Sequence, residues 1–299
     1  MPDRFALRVP CSTSNLGPGF DFLGLCLGMY LDAEVTVLDG GAPHVVEWSP
    51  PQAFDAEEDL VRRALDHFAA RRGAPLPGLS LRLRSEIPVG RGFGSSGAAT
   101  ACGLLAAAAA TGDEPGSRDE LVAMALELEG HPDNGTASLL GGCTLAVPHE
   151  GGLEVVHAPV HAALGFAVAW PSAPLFTPAA RAALPSEVPF EDAVENPRRL
   201  ALLLDGLRTG DPTRLALGVE DRLHERHRRA LIPGSDEAVS AAREAGAFAA
   251  CLSGAGSGLV AIGPPERMGD VAAALAAPLE GGEGRAVPFV AEAPRPAPR

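Results

Sequence analysis

PVGRGFGSSGA, residues 88–98, is the stretch from which the fold can be argued. It follows residues 79–87, LSLRLRSEI, whose alternation of apolar and polar side chains predicts a half-buried strand. It leads into an apolar run, residues 96–110, that predicts a helix. Glycines lack the Cβ atoms that would keep phosphate oxygens at a distance, and a helix N-terminus presents partly positive N–H groups. The stretch therefore predicts a phosphate cradle, although alone it is also compatible with a plain turn capped by a serine.

The charged residues of the 299-residue chain narrow its chemistry. All 24 members of the Lys+Arg class are arginines, and no lysine is present. This excludes Schiff-base catalysis and a Walker-type phosphate loop, because both need a lysine amine. The formal net charge of −14 disfavours nucleic acid and anionic membrane surfaces as partners. Arg91 is the only cation in residues 88–98, so we expect backbone N–H groups, the helix N-terminus or a metal to hold most of a bound phosphate.

The cysteines and the apolar segments indicate the cellular compartment of the protein. Five cysteines are scattered along the chain without a Cys-x-x-Cys pair: Cys11, Cys26, Cys102, Cys143 and Cys251. This pattern favours reduced thiols and argues against a disulfide framework or a zinc site. The longest apolar stretch, residues 97–110, is too short to span a bilayer, and the N-terminus lacks the apolar run of a signal peptide. We expect a cytoplasmic protein with no membrane partner.

Hydrophobic periodicity predicts strands and helices along the whole chain. Helices are expected at residues 59–72, 96–110, 119–129, 177–183, 196–208, 213–220, 235–245 and 266–276. Strands are expected at residues 5–9, 33–38, 79–87, 145–147, 153–156, 164–170, 248–252, 259–262 and 286–290. We place a boundary near residue 160, which divides the chain into residues 1–160 and 161–299. The last seven residues, APRPAPR, are expected to be disordered.

Two further segments share the glycine-rich, polar character of residues 88–98. They are PCSTSNLGPGFDFLGLCL, residues 10–27, and LSGAGSG, residues 252–258. Each alone could be a polar turn or a tight hairpin, but three such loops in one chain make coincidence less attractive. Together they resemble the three sequence motifs of the GHMP kinases, a family that includes galactokinases, mevalonate kinases and homoserine kinases. The form of the first segment, and EGHPDN at residues 129–134, are most similar to the homoserine kinases, and the resemblance runs from about Phe5 to Val290.

The resemblance implies an α+β fold of two domains. The N-terminal domain, residues 1–160, would be like domain 2 of ribosomal protein S5, and the C-terminal domain, residues 161–299, would be ferredoxin-like, with the active site between them. The implied activity is ATP- and Mg²⁺-dependent phosphorylation of the side-chain hydroxyl of L-homoserine, which gives O-phospho-L-homoserine in threonine biosynthesis. The resemblance also implies a homodimer.

The same resemblance assigns roles to individual positions. The nucleotide would lie against one continuous segment: Pro88, Val89, Gly90, Arg91, Gly92, Phe93, Gly94, Ser95, Ser96, Gly97 and Ala98. Ser96 and Glu129 would hold Mg²⁺. The ammonium of the acceptor would face Asn15, Asp21, His131 and Asn134. Its carboxylate would face Arg181 and Arg228, because arginine binds carboxylates in a bidentate manner. Thr177 would lie close to the acceptor hydroxyl, and the implied catalytic set is Ser96, Glu129, Thr177 and Arg181.

Three positions leave questions open. Glu225-Arg226-His227-Arg228 stands where homoserine kinases typically have Glu-Pro-Tyr-Arg, so Arg226 and Arg229 compete with Arg228 for the carboxylate. Asp59 replaces a frequent asparagine in the segment that meets adenine, which leaves the adenine contacts open. Histidine has an intrinsic pKa suited to a general base, but no motif supplies a partner that would hold His131 in that role. We therefore expect His131 to orient the substrate.

Two alternative functions remain open. Another small-molecule GHMP kinase, for a mevalonate-type or sugar-alcohol substrate, should lack the paired arginines because its acceptor carries no amino-acid zwitterion. A non-catalytic relative that only binds a metabolite should have lost the phosphate loop or Glu129, and this chain keeps both.

Overall fold

Two β-sheets, both covered by helices, organise this computed structural model, which describes residues 3–38, 42–50, 58–112 and 118–298. The strands are β1 (Arg4–Asn15), β2 (Gly19–Leu38), β3 (Val45–Trp48), β4 (Gly78–Ser85), β5 (Cys143–His149), β6 (Gly152–Ala158), β7 (Gly165–Trp170), β8 (Ala249–Leu252), β9 (Leu259–Gly263), β10 (Glu283–Val287) and β11 (Ala297–Pro298). The helices are α1 (Leu60–Arg72), α2 (Ser95–Thr111), α3 (Arg118–Glu129), α4 (Asp133–Leu140), α5 (Thr177–Ala182), α6 (Phe190–Thr209), α7 (Pro212–Gly218), α8 (Glu225–Arg229), α9 (Ser235–Glu244) and α10 (Met268–Ala276).

The first sheet has the strand order β11-β1-β2-β4-β3, and β5 and β6 extend it from β2. Helices α1 to α4 pack together beside it, with α2 in contact with the other three and with β1. Every residue of α2 from position 97 to 109 is buried, which is why its sequence is apolar on all sides. Helix α1 begins where Asp59 accepts the N–H groups of Val61 and Arg62, and it ends at Gly73 in the left-handed conformation.

The second sheet is antiparallel and has the strand order β10-β7-β9-β8. Along the chain, β7, α9, β8, β9, α10 and β10 follow one another in the βαββαβ order of a ferredoxin-like fold. Helices α9 and α10 pack against each other and bury apolar side chains on this sheet. Helices α5 to α8 lie between β7 and α9 in the chain. The expected α+β fold with a ferredoxin-like C-terminal part is confirmed.

The segment expected to be an open loop after Val9 is mostly strand. β1 continues to Asn15 and β2 begins at Gly19, so the turn between them is only residues 16–18. Polar side chains are tolerated in these buried strands because distant residues pair with them. Ser12 Oγ donates to Asn134 Oδ1 at 2.9 Å, and Ser253 Oγ lies 2.9 Å from Thr13 Oγ1. Local sequence patterns cannot reveal partners so far along the chain.

The C-terminal tail, expected to be disordered, returns to the first sheet as far as residue 298. β11 pairs with β1, with Ala297 opposite Ala6 and Pro298 opposite Phe5. Arg118 Nη2 also donates to the carbonyl oxygen of Pro294 at 2.6 Å. The expectation was wrong because composition does not show that an open strand edge elsewhere can pair with the tail. The division at residue 160 stays a prediction, since the end of the chain rejoins the first sheet.

Several smaller features complete the fold. The short elements β3, α4 and α8 were not predicted, because so few residues cannot establish a hydrophobic period.

All five cysteines are free and buried, and burial raises the pKa of Cys11, Cys102 and Cys143 to about 12. Across the ranges that the structure describes, no helix has the length and apolar character needed to cross a membrane.

Candidate active site

The three glycine-rich segments meet around the N-terminus of α2. Gly90, Gly92 and Gly94 have φ angles of 69°, 73° and 63°, in the left-handed region that favours glycine. A Cβ on Gly92 would lie 1.9 Å from the carbonyl oxygen of Ser253, and one on Gly94 would lie 2.3 Å from Ser12 Oγ. The close packing of the three segments on one another therefore requires these glycines, whatever ligand they bind.

Hydrogen bonds join the segments into one wall. The N–H of Gly254 donates to the carbonyl of Ser14 at 3.0 Å, and the N–H of Gly258 donates to the carbonyl of Arg91 at 3.1 Å. Ser253 Oγ donates to the carbonyl oxygen of Gly92 at 2.8 Å. The loop between β8 and β9 in the second sheet is thereby fixed against the loops of the first.

The N-terminus of α2 is open to an anion. Gly94 precedes the helix and no side chain caps it, so Ser95 and Ser96 do not serve as caps. Within the described ranges, nothing accepts a hydrogen bond from the N–H groups of residues 95–97. These three donors and the helix dipole together favour a bound phosphate.

A cavity of about 360 Å³ opens in front of this helix end. The part that we call the apolar end is lined by Leu31, Trp48, Leu60 and Ile87. Six residues of the loop also line the cavity, Val89, Gly90, Gly92, Gly94, Ser95 and Ser96, together with residues 254–256. The part that we call the polar end is lined by His131, Asn134 and Thr177. Apolar, glycine-rich and polar walls therefore surround a single cavity.

The remaining members of residues 88–98 do not line the cavity: Pro88, Arg91, Phe93, Gly97 and Ala98. The Arg91 guanidinium donates instead to the carbonyls of Val89, Pro171 and Ser172, so it ties the loop to the end of β7. Phe93 is buried with its ring 5.6 Å from that of Trp170, edge to face. The contribution of Arg91 to phosphate binding stays a prediction, and this geometry does not favour it.

Asp59 supports the apolar end of the cavity from behind. Its Oδ1 accepts the N–H of Val61 at 2.9 Å, and its Oδ2 accepts the indole N–H of Trp48 at 2.8 Å. The buried carboxylate thus starts α1 and orients the indole that lines the cavity. Sequence reasoning missed Trp48, because no motif precedes it and β3 has only four residues.

Glu129, at the end of α3, has the electrostatic environment of a cation ligand. Both of its carboxylate oxygens are buried, and none of the residues in the described ranges gives either one a hydrogen bond. Burial raises its pKa to about 8, and the nearby charge of His131 and the hydroxyl of Ser96 offset this only in part. The structure therefore brings Ser96 and Glu129 together, as expected. In the part of the chain that is described, no three His, Cys, Asp or Glu side chains cluster as a complete metal site.

His131 has a carboxylate partner that the sequence analysis did not recognise. Its Nδ1 lies 2.9 Å from Oδ1 of the buried Asp133, only two residues further on. This hydrogen bond raises the pKa of His131, and although burial alone would raise the pKa of Asp133, the same bond holds it below its usual value. Asn134 accepts from Ser12 at Oδ1 and donates to Ser14 Oγ at 3.0 Å. Both His131 and Asn134 are thus held in place at the polar end of the cavity.

Asp21 and Arg181 bind each other in this structure. The guanidinium donates twice to the carboxylate, with N–O distances of 2.7 and 2.9 Å. Arg181 lies on α5, one turn after Thr177, whose exposed side chain lines the cavity. The resemblance assigns Asp21 to the ammonium of the substrate and Arg181 to its carboxylate. In this structure the two side chains are paired with each other.

Asn15 closes the turn between β1 and β2 and holds the backbone of Asp21 at the start of β2. Its Oδ1 accepts the N–H of Asp21 at 3.0 Å, and its Nδ2 donates to the carbonyl of Gly254 at 2.9 Å. Both Asn15 and Asp21 have left-handed φ angles, 70° and 61°, which are uncommon for residues other than glycine. Binding of an ammonium by Asn15 stays a prediction; in this structure its amide organises the backbone.

The three candidate arginines of α8 point in different directions. Arg228 is only 1% exposed, and its guanidinium carbon lies 5.0 Å from the centre of the Phe20 ring, which Arg181 approaches to 5.7 Å. Arg226 pairs with Asp192, and Arg229 pairs with Asp236; both line a separate cleft. Geometry therefore places Arg228 beside Arg181 and Asp21, and separates the other two from them.

Among the residues that the structure describes, no carboxylate binds the buried Arg228. Its Nη1 donates to the carbonyl of Gly254 at 3.3 Å, and its Nε has no hydrogen-bond partner within the described ranges. Burial lowers its pKa. A buried cation with unused donors is costly unless an anion joins it, so this position suits the carboxylate of a ligand.

Comparison with known proteins gives consistent matches in sequence and in structure. Residues 59–142 match the family of the GHMP kinases N terminal domain, and residues 203–281 match that of GHMP kinases C terminal. A homoserine kinase of Synechocystis is 39% identical over 91% of this chain and 90% of its own length. One of Clavibacter michiganensis is 41% identical over 89% of this chain and 85% of its own. The crystal structure of a homoserine kinase from Cytophaga hutchinsonii superimposes with a TM-score of 0.88 at 26% identity, over 99% of this chain and 98% of the other.

Proposed function

The chain belongs to the GHMP kinase family, and we propose that it is a homoserine kinase, which transfers the γ-phosphoryl group of ATP to the side-chain hydroxyl of L-homoserine. The products are ADP and O-phospho-L-homoserine, the latter for threonine biosynthesis. The relatives that share 39–41% of its residues over most of their length are homoserine kinases. The observation that carries the proposal is the cluster of Asp21, Arg181 and Arg228, in which Arg181 lies one helical turn after Thr177 of the cavity lining.

The cavity fits ATP in the order of its parts. The apolar end beside Trp48 takes the adenine, and the N–H groups of residues 95–97 take the phosphates. The γ-phosphate then points toward His131 and Thr177. Phosphoryl transfer depends mostly on positioning and on neutralising charge, which this arrangement supplies without a lysine.

Ser96 and Glu129 would hold Mg²⁺. The two unpartnered, buried oxygens of Glu129 and the neighbouring hydroxyl form a hard, oxygen-only donor set, and the nucleotide phosphates and water would complete it. The ion would neutralise charge on the β- and γ-phosphates during transfer.

Homoserine carries both charges that the acceptor cluster can bind. Its carboxylate would replace the Asp21 carboxylate on Arg181 and also take the free donors of Arg228. Its ammonium would bind the Asp21 carboxylate released from that pair. The substrate is then held at two points, and its hydroxyl lies beside Thr177 and His131, in line with the γ-phosphate. His131, held by Asp133, orients that hydroxyl.

This arrangement favours homoserine over a mevalonate-type or sugar-alcohol acceptor. A sugar alcohol carries neither charge, so it would leave the buried Arg228 without its anion. Mevalonate has a carboxylate but no ammonium, so Asp21 would lose its partner. We also propose that the enzyme works in the cytoplasm, with ATP and homoserine as its ligands, as a homodimer.

The direct test is ADP release by the purified protein with Mg²⁺-ATP and separate acceptors. We expect release to depend on L-homoserine and to be at background with mevalonate or a sugar alcohol. Phosphorylation of either alternative acceptor without homoserine-dependent release would refute the substrate assignment. The matched control is Glu129→Gln, which keeps the shape of the site and should slow transfer with every acceptor.

A further inference from the structure

A second histidine, His224, lies near the acceptor cluster. It immediately precedes α8 and is 0% exposed. Its ring lies 4.9 Å from the ring of Phe20. It lies between Arg228 and the turn, residues 16–18, that joins β1 to β2.

The hydrogen bonds of His224 define one tautomer. Nε2 lies 2.8 Å from the carbonyl oxygen of Gly17, which can only accept, so Nε2 carries the proton. Nδ1 lies 3.4 Å from Nη1 of Arg228, which can only donate, so Nδ1 accepts. Burial lowers the pKa of His224 and outweighs the charge of Asp221, whose Oδ1 lies 3.8 Å from Nε2, so the direction agrees with a neutral ring.

The backbone of His224 is itself fixed from behind. Asp221 Oδ2 accepts the N–H groups of Leu223 and His224 at 3.0 and 2.6 Å. Asp221 Oδ1 accepts in turn from Nδ2 of the buried Asn196 in α6 at 3.0 Å. The imidazole therefore projects from a backbone segment that hydrogen bonds to Asp221 hold in place.

His224 also touches the part of the site that carries the opposite charge. Gly17 packs so closely that an added Cβ would lie 2.0 Å from the carbonyl oxygen of Val219. The turn that precedes Asp21 is thus clamped between Val219 and His224. A single imidazole joins this turn to the buried arginine.

We propose that His224 is a positioning residue that sets the preference of the enzyme for an acceptor with a carboxylate, because it pins Arg228 at a fixed distance from the turn, residues 16–18, that precedes Asp21. The proposal rests on the proposed homoserine kinase function. Nη1 of Arg228 is held by His224 and by the carbonyl of Gly254, while Nε is left without a partner within the described ranges. The guanidinium is thereby fixed at Nη1, and Nε is the donor left for the substrate.

Two substitutions separate the two bonds of His224. His224→Gln can still donate to Gly17 but loses the acceptor for Arg228, whereas His224→Asn keeps an oxygen near the Nδ1 position and loses the bond to Gly17. The readout is kcat/KM for L-homoserine divided by kcat/KM for 2-amino-1,4-butanediol, the analogue that lacks the carboxylate. We expect His224→Gln to lower this ratio about 10-fold or more, mainly through KM for homoserine, and His224→Asn to keep it within about 3-fold. His227→Phe, a change in the neighbouring histidine of α8, is the control and should leave the ratio unchanged.

Equal losses with both acceptors in His224→Gln, or an unchanged ratio, would overturn the proposal, since a merely structural role would affect both substrates alike. If neither variant folds, ¹⁵N NMR of the wild-type imidazoles decides: a neutral His224 with its proton on Nε2 is expected, and a proton on Nδ1 contradicts it. Wild-type protein inactive with homoserine would instead refute the proposed function, so the two failures are distinguishable.

Discussion

Glu129 is a single residue whose environment favours ligand binding at the expense of the stability of the ligand-free fold. Its carboxylate is buried without a hydrogen bond from any residue in the described ranges, and burial raises its pKa to about 8. A protein under selection for stability alone would pair or expose such a group. The environment makes sense if a cation arrives with the nucleotide and restores the balance of charge.

The first prediction concerns pH and Glu129. The folded protein keeps a proton on Glu129 up to about pH 8, whereas the unfolded chain releases it near its ordinary pKa of 4.5. The unfolded state therefore binds fewer protons in this window, and the free energy of unfolding of the ligand-free protein should fall as pH rises from about 5 to 8. Glu225, whose burial also raises its pKa to about 8, adds a decline of the same sign.

Urea unfolding of wild type and Glu129→Gln between pH 5 and 8 measures the effect, and the difference between their slopes isolates Glu129 from Glu225. We expect the variant to decline less steeply, by up to a few kcal/mol across the window. Parallel slopes would mean that Glu129 is ionised without penalty in the folded protein.

The second prediction separates the arginines around the acceptor. Arg181→Ala and Arg228→Ala should each raise KM for homoserine about 10- to 100-fold, because each removes a charge-assisted hydrogen bond to the carboxylate. Arg229→Ala is the matched control, since Arg229 faces the separate cleft and pairs with Asp236. Steady-state kinetics with ATP at saturation provides the measurement. An unchanged KM in Arg181→Ala would show the clamp assignment to be wrong.

Helix α1 shows how a single element supports both the fold and the site. Asp59 caps its first turn and binds the indole of Trp48 in β3, so the helix start and the wall of the cavity share one carboxylate. The Asp59 carboxylate thus orients Trp48, while the adenine contacts stay a prediction.

The third prediction follows from this shared carboxylate. Asp59→Ala should lower the free energy of unfolding by about 1–2 kcal/mol through the lost cap. Asp59→Asn keeps the capping oxygen and should lose less stability, but it presents an amide to the indole N–H. In a Trp170→Phe background, Trp48 is the remaining tryptophan, and its fluorescence should respond to ADP. Loss of this response in Asp59→Asn with stability retained supports the two roles; no response in the unchanged protein would place adenine elsewhere.

At the scale of elements, the sequence predicts long helices and strands well and short ones poorly. Helix α2 and strand β4 were predicted within two residues at each end, because their periods extend over many positions. The sequence predicts a loop at Ser12 and Ser14, which lie in β1, because the residue of α4 that hydrogen-bonds to both is more than 100 residues away in the chain. His131 was judged to lack a partner for the opposite reason: Asp133 is so near in sequence that only the start of α4 reveals how the two side chains meet.

At the scale of the whole molecule, the three motifs suffice to predict one site, because glycine-rich segments on separate strands must converge where a phosphate binds. The motifs cannot predict which charged side chains form ion pairs with each other in the absence of substrate. The Asp21–Arg181 pair and the choice of Arg228 over Arg226 depend on how the second sheet and its helices pack against the first. The net charge of −14 gives no sign of this local basic cluster.

The fourth prediction concerns the chain end. Because β11 completes the edge beside β1, deletion of residues 293–299 should lower the melting temperature by several degrees. KM for ATP and for homoserine should stay within about 2-fold, since the tail does not line the cavity. Differential scanning fluorimetry and kinetics on the truncated protein check both parts. An unchanged melting temperature would mean that the β11 pairing contributes nothing to stability.

Transfer of a phosphoryl group from ATP to homoserine in this cavity can be followed by ³¹P NMR of a reaction that contains the purified protein, Mg²⁺-ATP and L-homoserine. We expect O-phospho-L-homoserine and ADP to form in equal amounts, and neither to form when homoserine is omitted. ADP with inorganic phosphate but no phosphomonoester of homoserine would contradict this expectation.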